Sequence, residues 1–97
     1  MKPSNEQRNK LWERCGLKRN KYGYWELPDG PYKEIPTDLN NLFRFAVPDD
    51  CTIQFQQHGD ELECVIYYSN EWYSGRAGKR EYADALFWAL KEALCNH

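Results

Sequence analysis

Residues 51–57 alternate strictly, with Cys51, Ile53 and Phe55 on one side and Thr52, Gln54 and Gln56 on the other. A period of two marks a strand with one buried face. Gly59-Asp60 then forms a two-residue hairpin signal, and residues 62–68 return as a second strand. Closing the turn on His58 and Glu61 pairs Phe55 with Cys64 and Ile53 with Ile66, so all four share one face. The same register sets Cys51 opposite Tyr68, which gives no strand-to-strand disulfide. The other face carries Thr52, Gln54, Gln56, Glu63, Val65 and Tyr67. That mixture predicts partial cover by another element. Ser69-Asn70 predicts a further tight turn into a third strand over 71–76, with Trp72 across from Tyr67 and Tyr73 across from Ile66.

Helical spacing brackets this meander. Tyr82, Ala83, Leu86, Phe87, Leu90, Ala93 and Leu94 recur on one face of a helix predicted over 79–95. Ala85, Trp88 and Ala89 widen the apolar arc past half the circumference. Such a helix is either central or buried at an interface. Upstream, Thr37-Asp38 is a helix start, because either side chain accepts first-turn amide hydrogens. Leu39, Leu42, Phe43, Ala46 and Val47 follow at amphipathic spacing and Pro48 ends the run. Residues 5–17 predict a short helix with Leu11, Trp12 and Cys15 as its stripe and Gly16 as its stop. Residues 22–27 predict a short strand, Pro28-Asp29-Gly30-Pro31 a turn, and 32–36 an extended connector.

The expected class is therefore α+β: an antiparallel sheet of three to four strands with helices packed on both faces, an α/β/α sandwich. The 97 residues suit one domain, 1–97, with residues 1–4 expected to be disordered. No stretch reaches the ~20 apolar residues that cross a bilayer. The polar N-terminus lacks a signal-peptide core, so a reducing cytoplasm is the expected location. There Cys15, Cys51, Cys64 and Cys95 are expected to be free thiols. Cys95 and His97 form one close pair, short of the four ligands of a structural zinc site, so no metal is expected.

The pattern resembles a known family. Tyr32, Thr37-Asp38 and the run Leu39, Leu42, Val47 are similar to the "YSTD" segment and following helix of the phage ABA-sandwich domain. Tyr24-Trp25-x-x-Pro28-Asp29-Gly30 precedes that segment. The closing helix reads Tyr82-Ala83-Asp84-Ala85-Leu86-x-x-Ala89-Leu90. Pro36 stands where the family has serine, and Lys79-Arg80-Glu81 stands at the closing helix cap. The resemblance implies a small bacteriophage or prophage protein with an antiparallel sheet between helices. It implies no reaction.

Catalytic signatures are missing. His58 sits at a hairpin tip without a Ser or Cys neighbour. The acids Asp49, Asp50, Asp60, Glu61 and Glu63 flank turns, where a solvated surface is the ordinary role. No Walker or nucleophile-elbow motif occurs. The chain is therefore expected not to be an enzyme and to need no cofactor.

The net charge of −2 lacks the basic footprint of a duplex nucleic-acid binder. Aromatics make up 15% of the chain, which suits a core and a binding surface alike. The suggestive groupings are aromatic plus basic: Lys18, Arg19, Lys21, Tyr24 and Trp25, and then Trp72, Arg76 and Lys79. Rings and guanidiniums serve protein interfaces and nucleotide pockets equally. Gly75-Arg76-Ala77-Gly78-Lys79-Arg80 also has the composition of an anion cradle at a helix start. Three functions follow as expectations. One is a factor that binds a host or phage protein, including an anti-CRISPR-like counter-defence inhibitor. Another is an oligomeric sponge for a nucleotide signal. The third is a structural homo-oligomer whose last helix packs on a twin.

Overall fold

The computed structural model describes residues 2–95. Helix α1, Asn5–Arg14, opens on a reciprocal cap. The Gln7 amide donates to Ser4 Oγ at 3.2 Å, and the Ser4 amide donates to Gln7 Oε1 at 2.9 Å. Pro3 is buried, and Lys2 pairs with Glu81 and Asp84 at 3.3 Å each. Lys2, Pro3 and Ser4 thus contact the rest of the fold; Met1, the first residue of the expected disordered stretch 1–4, lies outside the described residues. The helix stops at Arg14, short of the expected Leu17, and Gly16 follows at φ 91°.

A two-stranded hairpin comes next, β1 (Trp25–Leu27) paired with β2 (Gly30–Tyr32). The second strand takes Gly30 and Pro31 from the expected turn and Tyr32 from the expected connector. Asp38 rather than Thr37 caps the following segment, its Oδ1 accepting from the Asn41 amide at 2.8 Å. One α-helical turn, α2 (Leu39–Asn41), passes into a π-helical turn over Leu42–Ala46. There the Val47 amide donates to the Leu42 carbonyl at 2.9 Å. The wider turn keeps Leu42 and Ala46 buried and swings Phe43 outward.

Strands β3 (Thr52–His58), β4 (Glu61–Tyr68) and β5 (Glu71–Gly78) form an antiparallel meander in the order β3-β4-β5. The register is the expected one: Ile53 faces Ile66, Phe55 faces Cys64, and Tyr67 faces Trp72. Ser69 and Asn70 both take positive φ, the mirror-image turn that suits strand twist. Helix α3 is Tyr82–Cys95. It begins three residues later than predicted, because Arg80 at φ 65° makes a tight turn in which the Glu81 amide donates to the Gly78 carbonyl.

The chain is mixed α+β, with antiparallel sheets of two and three strands. Its layers run from the three-stranded sheet to α3 and then to α1 with the α2–π segment. Helix α3 lies across β4 and β5 and carries the outer helices on its far side. Leu62, Cys64, Ile66 and Ala77 are buried beneath it, together with its own Ala85, Leu86, Phe87, Ala89 and Leu90. The broad apolar arc of α3 thus marks a central helix. The opposite sheet face, with Thr52, Gln54, Gln56, Tyr67, Trp72, Ser74 and Arg76, is exposed. The second helical cover expected there is absent among the described residues.

Candidate interaction surface

The sequence-predicted residues divide between core and surface. Trp25 is 2% exposed and belongs to the core. Its position as the first residue of β1 turns the ring inward, so it is corrected from binding residue to core residue. Arg19 stands over that ring, its guanidinium carbon 5.0 Å from the centroid. It also donates to Glu13 Oε1 at 2.8 Å. Both contacts tie the 18–20 segment to α1 and β1, and the Glu26 amide adds a bond to the Lys18 carbonyl at 3.0 Å.

The Lys18 side chain stays exposed on that segment, and Lys21 and Tyr24 stay exposed on the loop that follows. Asn20 closes that loop: its Oδ1 accepts from the Tyr22 and Tyr24 amides at 2.9 and 3.1 Å. The Asn20 amide donates to the Tyr24 carbonyl at 2.7 Å. The result is a braced tip presenting Tyr22, 73% exposed, with Lys21 Nζ 5.2 Å from the ring centroid.

The second cluster lies on the open sheet face. Trp72 is 61% exposed and tilts against Tyr67, their ring centroids 4.8 Å apart. Cross-strand pairing enforces the contact, because the two residues are direct partners. Tyr67 is the site residue that sequence reasoning left out. Its signal was the hairpin register, which already placed it opposite Trp72.

Arg76 shares this face but lies four residues along the strand, ~13 Å from Trp72. It donates to Glu61 Oε1 at 2.7 Å and stands 3.5 Å from Glu63 Oε2. The hydrogen bond to Glu61, and then the charge of Glu63, raise its pKa further. His58 Nε2 meets the other Glu63 oxygen at 3.0 Å. The guanidinium is therefore already engaged by two carboxylates.

Lys79 is exposed in the turn before α3. The glycine-basic segment is not an anion-binding loop, because β5 runs through Gly78. Glu81 also fills the space beside Gly78, where a carboxylate would repel an anion. Lys2 holds that carboxyl below its ordinary pKa.

Sulfur chemistry is quiet. Burial pushes the Cys64 thiol up to about 12 and the Cys15 thiol to about 11. Cys51 and Cys95 are also raised, chiefly by burial, and a protonated thiol is a poor nucleophile. No group of three or more metal-ligating side chains gathers among the described residues. The Cys95–His97 pair cannot be placed, as His97 lies outside them. No helix among the described residues is long and apolar enough to cross a membrane.

A 650 Å³ surface depression lies between the start of α1 and the end of α3, and none of the eight predicted residues lines it. Tyr24 alone borders a 530 Å³ hollow beside its loop, with Lys33 and Glu34 on the rim. Comparison with protein-family models, curated proteins and solved structures finds no match.

Proposed function

We propose that this chain acts by binding another protein through the open face of its three-stranded sheet, without a reaction of its own. The observation that carries this reading is the exposed Trp72–Tyr67 pair on a sheet face that the chain's helices leave uncovered. A tryptophan held by a cross-strand neighbour loses little freedom on docking. Tryptophan and tyrosine also dominate the energetics of protein interfaces. Glu61, Glu63 and Arg76 supply a charged rim beside it. In the setting that the ABA-sandwich resemblance implies, the partner is a host or phage protein and the outcome is counter-defence inhibition.

The test compares tagged wild type with Trp72→Ala in capture from a lysate of phage-susceptible bacteria, followed by native mass spectrometry. The expected result is one stoichiometric protein partner, lost at least about tenfold in the variant. A partner kept equally by Trp72→Ala overturns the assignment of the face. A nucleotide adduct in place of a protein overturns the function.

A further inference from the structure

The two edges of the meander are built differently. Edge strands expose unpaired backbone groups, and proteins protect them with charges, proline, bulges or cover. Strand β5 carries Glu71 and Arg76 and lies under α3. Strand β3, Thr52–His58, reads TIQFQQH, with no acidic residue, lysine, arginine or proline. Its pairing to β4 runs unbroken from Thr52 to His58, so it carries no bulge. Its apolar residues are also incompletely covered. Ile53 and Phe55 are half-buried, whereas Cys64 and Ile66 opposite them are fully buried. The cover of α3 thins toward the edge, where Tyr82 at its start meets the Phe55 ring edge-on, centroids 5.1 Å apart, and leaves Ile53 and Phe55 half-buried.

The pattern of β3 is a palindrome about Gln54: Thr52 and Gln56 flank it as polar residues, and Ile53 and Phe55 as apolar ones. A strand running antiparallel to its own copy about Gln54 pairs Ile53 with the second copy's Phe55, and Thr52 with its Gln56. Gln54 meets itself on the twofold axis. Aromatic–β-branched pairs are among the favourable cross-strand contacts, and no like charges oppose one another.

The backbone agrees with this register. The Gly59-Asp60 turn closes on His58 and Glu61, which form the hydrogen-bonded pair of a two-residue hairpin. Alternation then directs the N–H and C=O groups of Ile53, Phe55 and Gln57 away from β4. Those are the residues the twofold arrangement requires as hydrogen-bonded pairs.

We propose that β3 is a self-association edge at which a second copy of this chain pairs antiparallel about Gln54, joining two three-stranded sheets into one of six strands. The occupant is another copy because the palindrome makes the edge complementary to itself. Helix α3, the surface expected from sequence to meet a twin, has Ala85, Leu86, Phe87, Ala89, Leu90 and Ala93 buried inside the chain. The edge is separate from Trp72, which lies on the far strand, so the pairing stands or falls independently of partner binding.

Sedimentation equilibrium of wild type over micromolar to millimolar concentrations should show a monomer–dimer equilibrium. Gln54 is exposed on the open face, so Gln54→Lys should leave far-UV circular dichroism and Tm unchanged. It should weaken the dimer at least about tenfold by opposing two ammonium groups on the axis. Gln54→Cys should yield a disulfide-linked dimer under mild oxidation faster than Gln56→Cys, because only residue 54 meets itself. Trp72→Ala should leave the dimer intact. A monomer at every concentration, a dimer indifferent to Gln54→Lys, or one abolished by Trp72→Ala overturns the proposal.

Discussion

The backbone of Gly75 on β5 lies directly beneath Ala89 of α3. A Cβ added to Gly75 would stand 2.2 Å from the Ala89 amide nitrogen and 2.6 Å from the Ala85 carbonyl oxygen. Both are backbone atoms and cannot swing aside. Glycine here sets the distance at which helix and sheet close, with Ala85 and Ala89 completing a small-residue contact.

Gly75→Ala should therefore destabilise the fold by about 3 kcal/mol, at the upper end of overpacking costs. Urea unfolding measures it, and a change under 1 kcal/mol would show that α3 can lift from β5 freely.

The two tryptophans that sequence offered alike as binding residues should behave oppositely. Trp25→Ala removes a fully buried ring and should cost about 3–5 kcal/mol. Trp72→Ala removes an exposed one and should cost under about 1 kcal/mol, chiefly the Tyr67 contact. Thermal unfolding of the two variants side by side decides whether the core and surface assignments are right.

Cys64 predicts an alkaline limit. Its thiol pKa is raised from an ordinary 9 to about 12 by burial. A folded value above the unfolded one means full stability below pH 9 and loss as the pH climbs from 9 toward 12. Cys15, raised to about 11, acts in the same direction. Iodoacetamide at pH 8 should leave Cys64 unmodified in the native protein and label it in denaturant; equal rates would contradict its burial.

Asp29 gives the acid counterpart. The Tyr32 hydroxyl donates to its Oδ2 at 2.8 Å, and this bond, aided by Arg44, holds the carboxyl below its ordinary value. A depressed folded pKa contributes stability above about pH 4 that fades as the pH falls further. Tyr32→Phe should move the Asp29 carboxyl midpoint upward in an NMR titration, and an unmoved midpoint would mean the bond does not persist in solution.

Much of this fold is written in local pattern. The alternation of Ile53 and Phe55 against Cys64 and Ile66, with a turn at Gly59-Asp60, determined the β3–β4 pairing residue by residue. A one-residue slip would turn every apolar side chain to the wrong face. The Trp72–Tyr67 opposition followed from the same parity, and the spacing of Leu86, Phe87, Leu90 and Ala93 determined α3. These signals are legible because a side chain's direction within an element depends only on its period.

Tertiary structure decided the remainder. Aromatic content could not separate Trp25 from Trp72, since large rings satisfy a core and an interface equally. Gly78 lies beyond the strand expected over 71–76 yet ends β5, and the need for a glycine at Gly75 comes only from the close approach of α3. Arg76, a candidate anion ligand in sequence, is held by Glu61 and Glu63, fifteen and thirteen residues away in the chain. Which sheet face is covered and which is left open depends on where α3 docks. That follows from the fit of one element against another, which no local period records.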